Sequence, residues 1–193
     1  MFSINKFLGI TEDVSAHGAQ IDVMMELIHW FMLLLGLGWG IFFLIAVWKF
    51  RASRHPRANY HGVTSTLSSH LEVAVIVAEA CILFGFAYPS WHRRVLEVPD
   101  RSEAVVVRAV GQQFLWNFHY PGPDGVFGRL DPALVSSSNP VGLDGTDAAA
   151  KDDIVAQNQM HVPKNKPVIV EVTSKDVIHN FAVPNLRIAH DAI

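Results

Sequence analysis

The chain has 193 residues, with 15 Lys+Arg against 18 Asp+Glu, a formal charge of −3 and one cysteine. Half of its residues are hydrophobic, only 17% are charged and the mean hydropathy is +0.25, whereas a soluble domain usually carries about a quarter charged residues. These figures exclude collagen, a disordered tail, a disulfide-rich secreted module and strong attraction to nucleic acid, and they point to lipid.

The first element is an apolar run. Leu27–Trp48 is 22 residues without Asp, Glu, Lys or Arg, and as a helix it spans roughly 33 Å, enough for the hydrocarbon core of a bilayer. Gly36, Gly38 and Gly40 would weaken a soluble helix but let a neighbouring membrane helix approach closely, and Trp30 and Trp48 sit where interfacial anchors belong. The segment ahead of it is not a secretory signal, because its apolar piece, Phe7–Ile10, is too short. Glu26 and His29, three residues apart, are expected to pair on one helix face. The link Lys49–Leu71 carries Lys49, Arg51, Arg54 and Arg57 and no acid, with His55, His61 and His70 solvated or lipid-facing. Its charge places the link in the cytoplasm.

A second span, Val73–Trp91, is 19 residues with a single charge, Glu79, and is expected to end at Pro89. Two such runs predict a transmembrane hairpin rather than a pair of buried helices in a soluble core. Glu72 stands at the cytoplasmic start of the second span, where a helix dipole favours an acid. Glu79 lies about two turns deeper and is expected to pack against a partner subunit, protonated or paired. Residues 1–26 and everything after Trp91 then lie outside, although Arg93, Arg94, Arg101 and Arg108 make the second span less decisive.

From Glu103 the pattern becomes β. Glu103–Val110 is rich in Val. Gln113–Tyr120 alternates, with Phe114, Trp116, Phe118 and Tyr120 on one side and Gln113, Leu115, Asn117 and His119 on the other. Pro121–Gly125 is a turn. Residues 136–159 read as a polar surface insertion without chemistry of its own. Met160–Pro163 is short and extended, Pro167–Thr173 is a strand with Val168, Val170 and Val172 on one face, and Asp176–Pro184 is a strand ending at a proline turn. Short strands with turns between them suggest a β-sandwich over residues 92–193.

Three features together resemble subunit II of the haem–copper oxygen reductases, in its cytochrome c oxidase form: the hairpin ahead of a β domain, the aromatic stretch Gly111–Tyr120, and Asp176-Val177-Ile178-His179-Asn180-Phe181-Ala182-Val183-Pro184 continuing to Asp191-Ala192-Ile193. The resemblance covers the chain from about residue 15, apart from residues 136–159. It implies an all-β cupredoxin-like domain that holds a dinuclear copper centre (CuA), receives electrons from cytochrome c or an equivalent haem domain, and passes them to subunit I. There haem and a further copper (CuB) reduce oxygen while protons are pumped. His179 matches the family's first histidine ligand. The other ligands, two cysteines among them, belong to a loop beyond residue 193, and Cys81 is in the second span.

Bridging thiolates are what make such a copper pair, so either the natural chain is longer or the centre is lost. Retention of His179 favours the first, since quinol-oxidising relatives typically replace it. A barrel without its last strands would also leave an open apolar edge. The resemblance further implies electron-transfer roles for Trp116 and for Phe114, where the family normally has tryptophan. It places Glu72 at the mouth of a proton path into subunit I and Asp191 near the subunit I interface. It assigns nothing to His190 or to Glu79, where the family typically has proline. The expected setting is a bacterial plasma membrane with the β domain on the periplasmic side. A copper-free structural subunit of a quinol oxidase is the alternative. A membrane-anchored copper carrier is disfavoured by the lack of Met- or Cys-rich motifs.

Overall fold

The structure is a computed structural model that describes residues 3–57, 60–62 and 64–193. It divides into two compact units, Met1–Glu97 and Val98–Ile193.

The first unit opens with a single helical turn, α1 (Ile4–Phe7), capped by Ser3. The amides at the start of a helix have no partner within it, and here a carboxylate from the next helix supplies one. Glu26 accepts from the N–H groups of Ile4 (2.8 Å) and Asn5 (3.1 Å), from the Ser3 hydroxyl (3.0 Å) and from the Trp30 indole (3.2 Å). The expected Glu26–His29 pair is therefore not formed. His29 turns its Nδ1 to the Met25 carbonyl of its own helix, at 2.6 Å.

That helix, α2, runs from Gly18 to Lys49, starting ahead of the apolar run. The second rod is α3 (Leu67–Ile82), a π-helical turn (Leu83–Ala87) and α4 (Tyr88–Leu96). Both rods are long and apolar enough to cross a membrane, and the apolar window of neither is buried within the protein. Leu34, Phe42, Phe43, Ile76 and Phe84 all stand exposed. Core helices of a soluble domain are thereby excluded, and the pair is a transmembrane hairpin. At the end of α2 the Arg54 guanidinium lies 3.9 Å from the centre of the Trp48 ring, a cation–π contact suited to an interfacial tryptophan.

Two sequence expectations need correction here. Pro89 does not end the second span, because the widened π-turn just before it relieves the clash that a proline ring makes with the carbonyl four residues back. The helix continues to Leu96, with Arg93 and Arg94 in its last turn, where the dipole favours cations. Glu72 does not open the second helix. That helix starts at Leu67, whose amide donates to Ser65 Oγ at 3.2 Å. Glu72 is thus past the first turn, where the dipole gives an acid little.

The second unit is built on a four-stranded sheet in the order β3-β2-β1-β4, from β1 (Val105–Gln112), β2 (Leu115–Tyr120), β3 (Ile154–Gln157) and β4 (Val168–Ser174). β1 and β4 are parallel, with Val107 opposite Val170, and the other pairs are antiparallel. A second, two-stranded sheet joins β5 (His179–Val183) to β6 (Ile188–Ala192). The alternation of β1, β2 and β4 puts Val105, Val107, Ala109, Trp116, Phe118, Tyr120, Val168, Val170 and Val172 around one core, which Phe181 of β5 completes. This is the cupredoxin-like β domain that the sequence implied.

The strand limits differ from expectation at instructive places. Gln113 and Phe114 form the β1–β2 turn rather than the start of β2, so Phe114 leaves the aromatic face and is 92% exposed. Asp176–Ile178 is a loop and only His179–Val183 is strand, while β6 follows the proline turn. The stretch 136–159 is not merely a surface insertion. It buries Val141 and Ala150 and ends in β3, which pairs with β2 in the register Phe118 opposite Ala156. The apolar part of that strand, Ile154-Val155-Ala156, is too short to show a period by which to find it.

Phe181 is 6% exposed and makes edge-to-face contacts with Trp116 and Phe118. Phe181→Ala should lower the stability of the β unit by about 3–4 kcal/mol, read from the denaturant midpoint of tryptophan fluorescence.

Candidate functional site

His179 is the first residue of β5, on the same face as Phe181. Its imidazole is 5.9 Å from the Trp116 ring, edge-on, with the side chain 18% exposed. Gly111 makes room for it. A Cβ at that position would come within 3.0–3.2 Å of three imidazole and Cβ atoms of His179, so any larger residue would push the ring aside.

The ring is held by Asp176. Its Oδ1 lies 2.7 Å from His179 Nε2 and also accepts the Val177 amide at 2.7 Å, while Oδ2 accepts the Gln113 amide at 2.7 Å. One carboxylate thus ties the imidazole to the turn that presents Phe114. The Gln113 amide first, then the His179 ring and the Val177 amide, hold the Asp176 carboxyl well below the usual carboxylate range. Facing an ionised carboxylate, Nε2 carries the ring proton and donates it, so Nδ1 is left with the lone pair. Nδ1 has no hydrogen bond among the described residues. A carboxylate on one ring nitrogen and a lone pair on the other is the arrangement of a histidine that ligates a metal.

A dinuclear copper centre needs more than this. Among the described residues no three His, Cys, Asp or Glu side chains come together as a metal site. The single cysteine, Cys81, is in α3 of the other unit. The donor set present is one imidazole, which does not by itself fit a thiolate-bridged copper pair.

The remaining sequence-derived candidates are dispersed. Phe114 stands out from the β1–β2 turn, Trp116 packs between His179 and Phe181, and Glu72 lies in α3. Asp191 accepts from the Asn180 amide nitrogen across β5–β6, at 3.0 Å. Asp176 and Gly111 escaped the sequence reading, although an acid three residues before a candidate ligand histidine was a visible signal.

A second constellation lies on the other face of the sheet. His119 and Asp153 have side chains with no exposure, and His119 Nε2 is 2.6 Å from Asp153 Oδ2, which also accepts the Gly128 amide at 2.8 Å. Phe127 packs edge-on to His119 at 4.9 Å, with the Arg108 guanidinium 3.9 Å from its centre. Arg108 in turn donates to Glu171 at 2.9 Å. Burial lowers the His119 pKa, and the Asp153 hydrogen bond offsets this only in part.

The comparisons with known proteins agree with this architecture. Residues 105–193 match the family described as "Cytochrome C oxidase subunit II, periplasmic domain". The chain is 31% identical over 181 residues to the alternative cytochrome c oxidase subunit 2 of Bradyrhizobium diazoefficiens, an alignment covering 93% of this chain and 64% of that protein. Cytochrome c oxidase subunit 2 of Pneumocystis carinii is 29% identical over 168 residues, covering 86% of this chain and 64% of the relative. The Cereibacter sphaeroides protein is 29% identical over 191 residues, covering 86% and 59%. The chain therefore spans less than two thirds of the length of these relatives.

Two predictions follow from the site's geometry. Asp176→Asn removes the charge that fixes the ring proton on Nε2, so nitrogen NMR of the imidazole should change from one tautomer to a mixture. For His119, the folded pKa lies below the unfolded value of about 6.5, so the unfolded chain binds the extra proton first. Stability of the β unit should fall as pH drops through about 6.5 and level off below the folded value. Denaturant midpoints across that range measure the slope, and His119→Gln should abolish it.

Proposed function

Because the chain belongs to the cytochrome c oxidase subunit II family, we propose that it is the electron-accepting, membrane-anchored subunit of a proton-pumping oxygen reductase. The two helices anchor it in a bacterial plasma membrane. The basic link Lys49–Arg57 lies on the cytoplasmic side and the β unit on the periplasmic side, in keeping with the charge asymmetry around the first span. Its partners are subunit I, which holds haem and CuB, other oxidase subunits, and a cytochrome c or haem-domain donor. Oxygen reduction belongs to subunit I, and no catalytic group is assigned to this chain.

The observation that carries the reading is His179, with Nε2 bound by Asp176 and Nδ1 left as a ligand atom. His179 is the one imidazole that residues 1–193 supply toward a dinuclear copper centre, and the thiolates are not among these residues. The chain's own contribution is to fix that imidazole in orientation through Asp176, Gly111 and Trp116. Trp116, in contact with the imidazole, and Phe114, exposed at the turn tied to Asp176, are the aromatic groups on the donor side. Glu72 is the proton-uptake carboxyl of the second helix.

The test is the purified complex carrying His179→Ala. The copper-to-haem ratio should drop, and electron delivery from the donor should slow at least tenfold, a loss of about 1.4 kcal/mol or more. Re-oxidation of the reduced haems by oxygen should be unchanged. An unaltered copper content, together with turnover on quinol, would instead establish the copper-free structural subunit.

A further inference from the structure

The second membrane helix holds a carboxyl group that nothing in its own unit accounts for. Glu79 is in the fourth turn of α3, exposed, and makes no hydrogen bond or ion pair among the described residues. Its neighbours along the helix, Val75 to Ala78 and Ala80 to Leu83, offer no side-chain partner beyond the Cys81 thiol. A carboxyl group facing lipid at that depth is costly, so the side of α3 that carries it faces protein or enclosed water.

Glu72 is seven residues earlier, also exposed and without a partner among the described residues. Seven residues make almost two whole turns, so the two carboxyl groups project to one side, about 10 Å apart along the axis and about 20° apart around it. Ser68, a turn before Glu72, is on the same side at the polar start of α3. Other sides of this helix present Leu71, Val73 and Val77. Val75 and Ile76 stand between the two carboxyl groups on that side, so Ser68, Glu72 and Glu79 are separate polar points on one side of the helix, the last of them near the middle of the span. Directly beyond Glu79, whose carbonyl accepts the Leu83 amide, the helix widens into the π-turn, a distortion that concentrates at functional positions.

We propose that Glu79 is the second proton-carrying group of a relay that begins at Glu72, on the side of α3 covered by a partner membrane subunit with a polar, water-holding surface. Glu72 takes a proton from the membrane surface. Intervening water carries it to the Glu79 carboxylate, and the resulting carboxylic acid passes it on into the partner, returning to carboxylate. No electron moves in this step. The inference rests on the oxidase reading given above.

The experiment uses the intact purified oxidase in liposomes, comparing Glu79→Gln, Glu79→Asp and Glu72→Gln with the wild type. Glu79→Gln keeps the shape and a hydrogen-bonding amide but carries no proton. It should assemble with full haem content and accept electrons at the normal rate. Proton uptake and steady turnover should fall about tenfold or more, and Glu79→Asp should restore most of the loss. Independently of turnover, an apolar carbodiimide should modify the α3 peptide at Glu79 in the wild type, as read by mass spectrometry. Normal proton uptake in assembled Glu79→Gln overturns the relay. So does loss of the partner subunit from that variant, which would make Glu79 an adhesive contact only. Failure of the oxidase reading itself would show differently, as a wild-type preparation that contains no haem-bearing partner.

Discussion

Phe181 joins the candidate site to the core. Its ring meets Trp116 at 5.2 Å and Phe118 at 6.3 Å, both edge-on. Such contacts contribute about 1 kcal/mol each beyond the area they bury. Since His179 lies two residues before Phe181 on the same strand face and touches the same Trp116 ring, the imidazole cannot shift without disturbing the core. The histidine is therefore presented by a packed strand and not by a loose loop, which is the condition for a precisely placed ligand. Asp176 adds the remaining restraint, fixing the ring's rotation and its proton.

In the sheet below this site the central strands β1 and β2 carry buried residues on both faces, Val107, Ala109 and Phe118 on one and Val110, Asn117 and His119 on the other. The apolar face is closed by β5 through Phe181. The opposite face carries Asn117 and His119, both fully buried, and the excursion between β2 and β3 covers it. The buried polar groups there are partnered in part: Asp153 holds His119 Nε2, and Gln112 and Gln157 hold Asn117, while His119 Nδ1 and Asp153 Oδ1 have no hydrogen-bond partner among the described residues. The excursion is itself tied down by the Arg129–Asp144 ion pair and by Gly122, whose positive φ and lack of a side chain let the Asp152 backbone approach.

In the membrane unit the controlling condition is the solvent. Two rods whose long apolar stretches are unburied within the protein are stable only in lipid or against other membrane helices. That condition turns a carboxyl group in α3 from a detail of composition into a statement about what lies beside it. The same unit shows how local backbone pairing overrides side-chain proximity. Glu26 is near His29 in sequence, yet it serves the unpaired amides of α1, because those amides have no partner of their own.

Much of this was legible from the residues alone. The two apolar runs, the period-two alternation in Trp116–Tyr120 and Val168–Val172, and the motif around His179 each depend on neighbours within a few positions, where spacing dictates which side a residue takes. What spacing could not reveal was pairing over distance. His119 sits on the side of its strand opposite the aromatic residues, where nothing near it in sequence marks it as buried, and its partner Asp153 lies 34 positions on. Asp176 reads as a strand residue until the Gln113 amide, 63 positions away, is found in its reach. Pro89 reads as a helix stop until the π-turn beside it is seen. Each of these was decided by tertiary structure, because a buried polar group or a strained backbone is permitted only by the particular partner that folding brings to it.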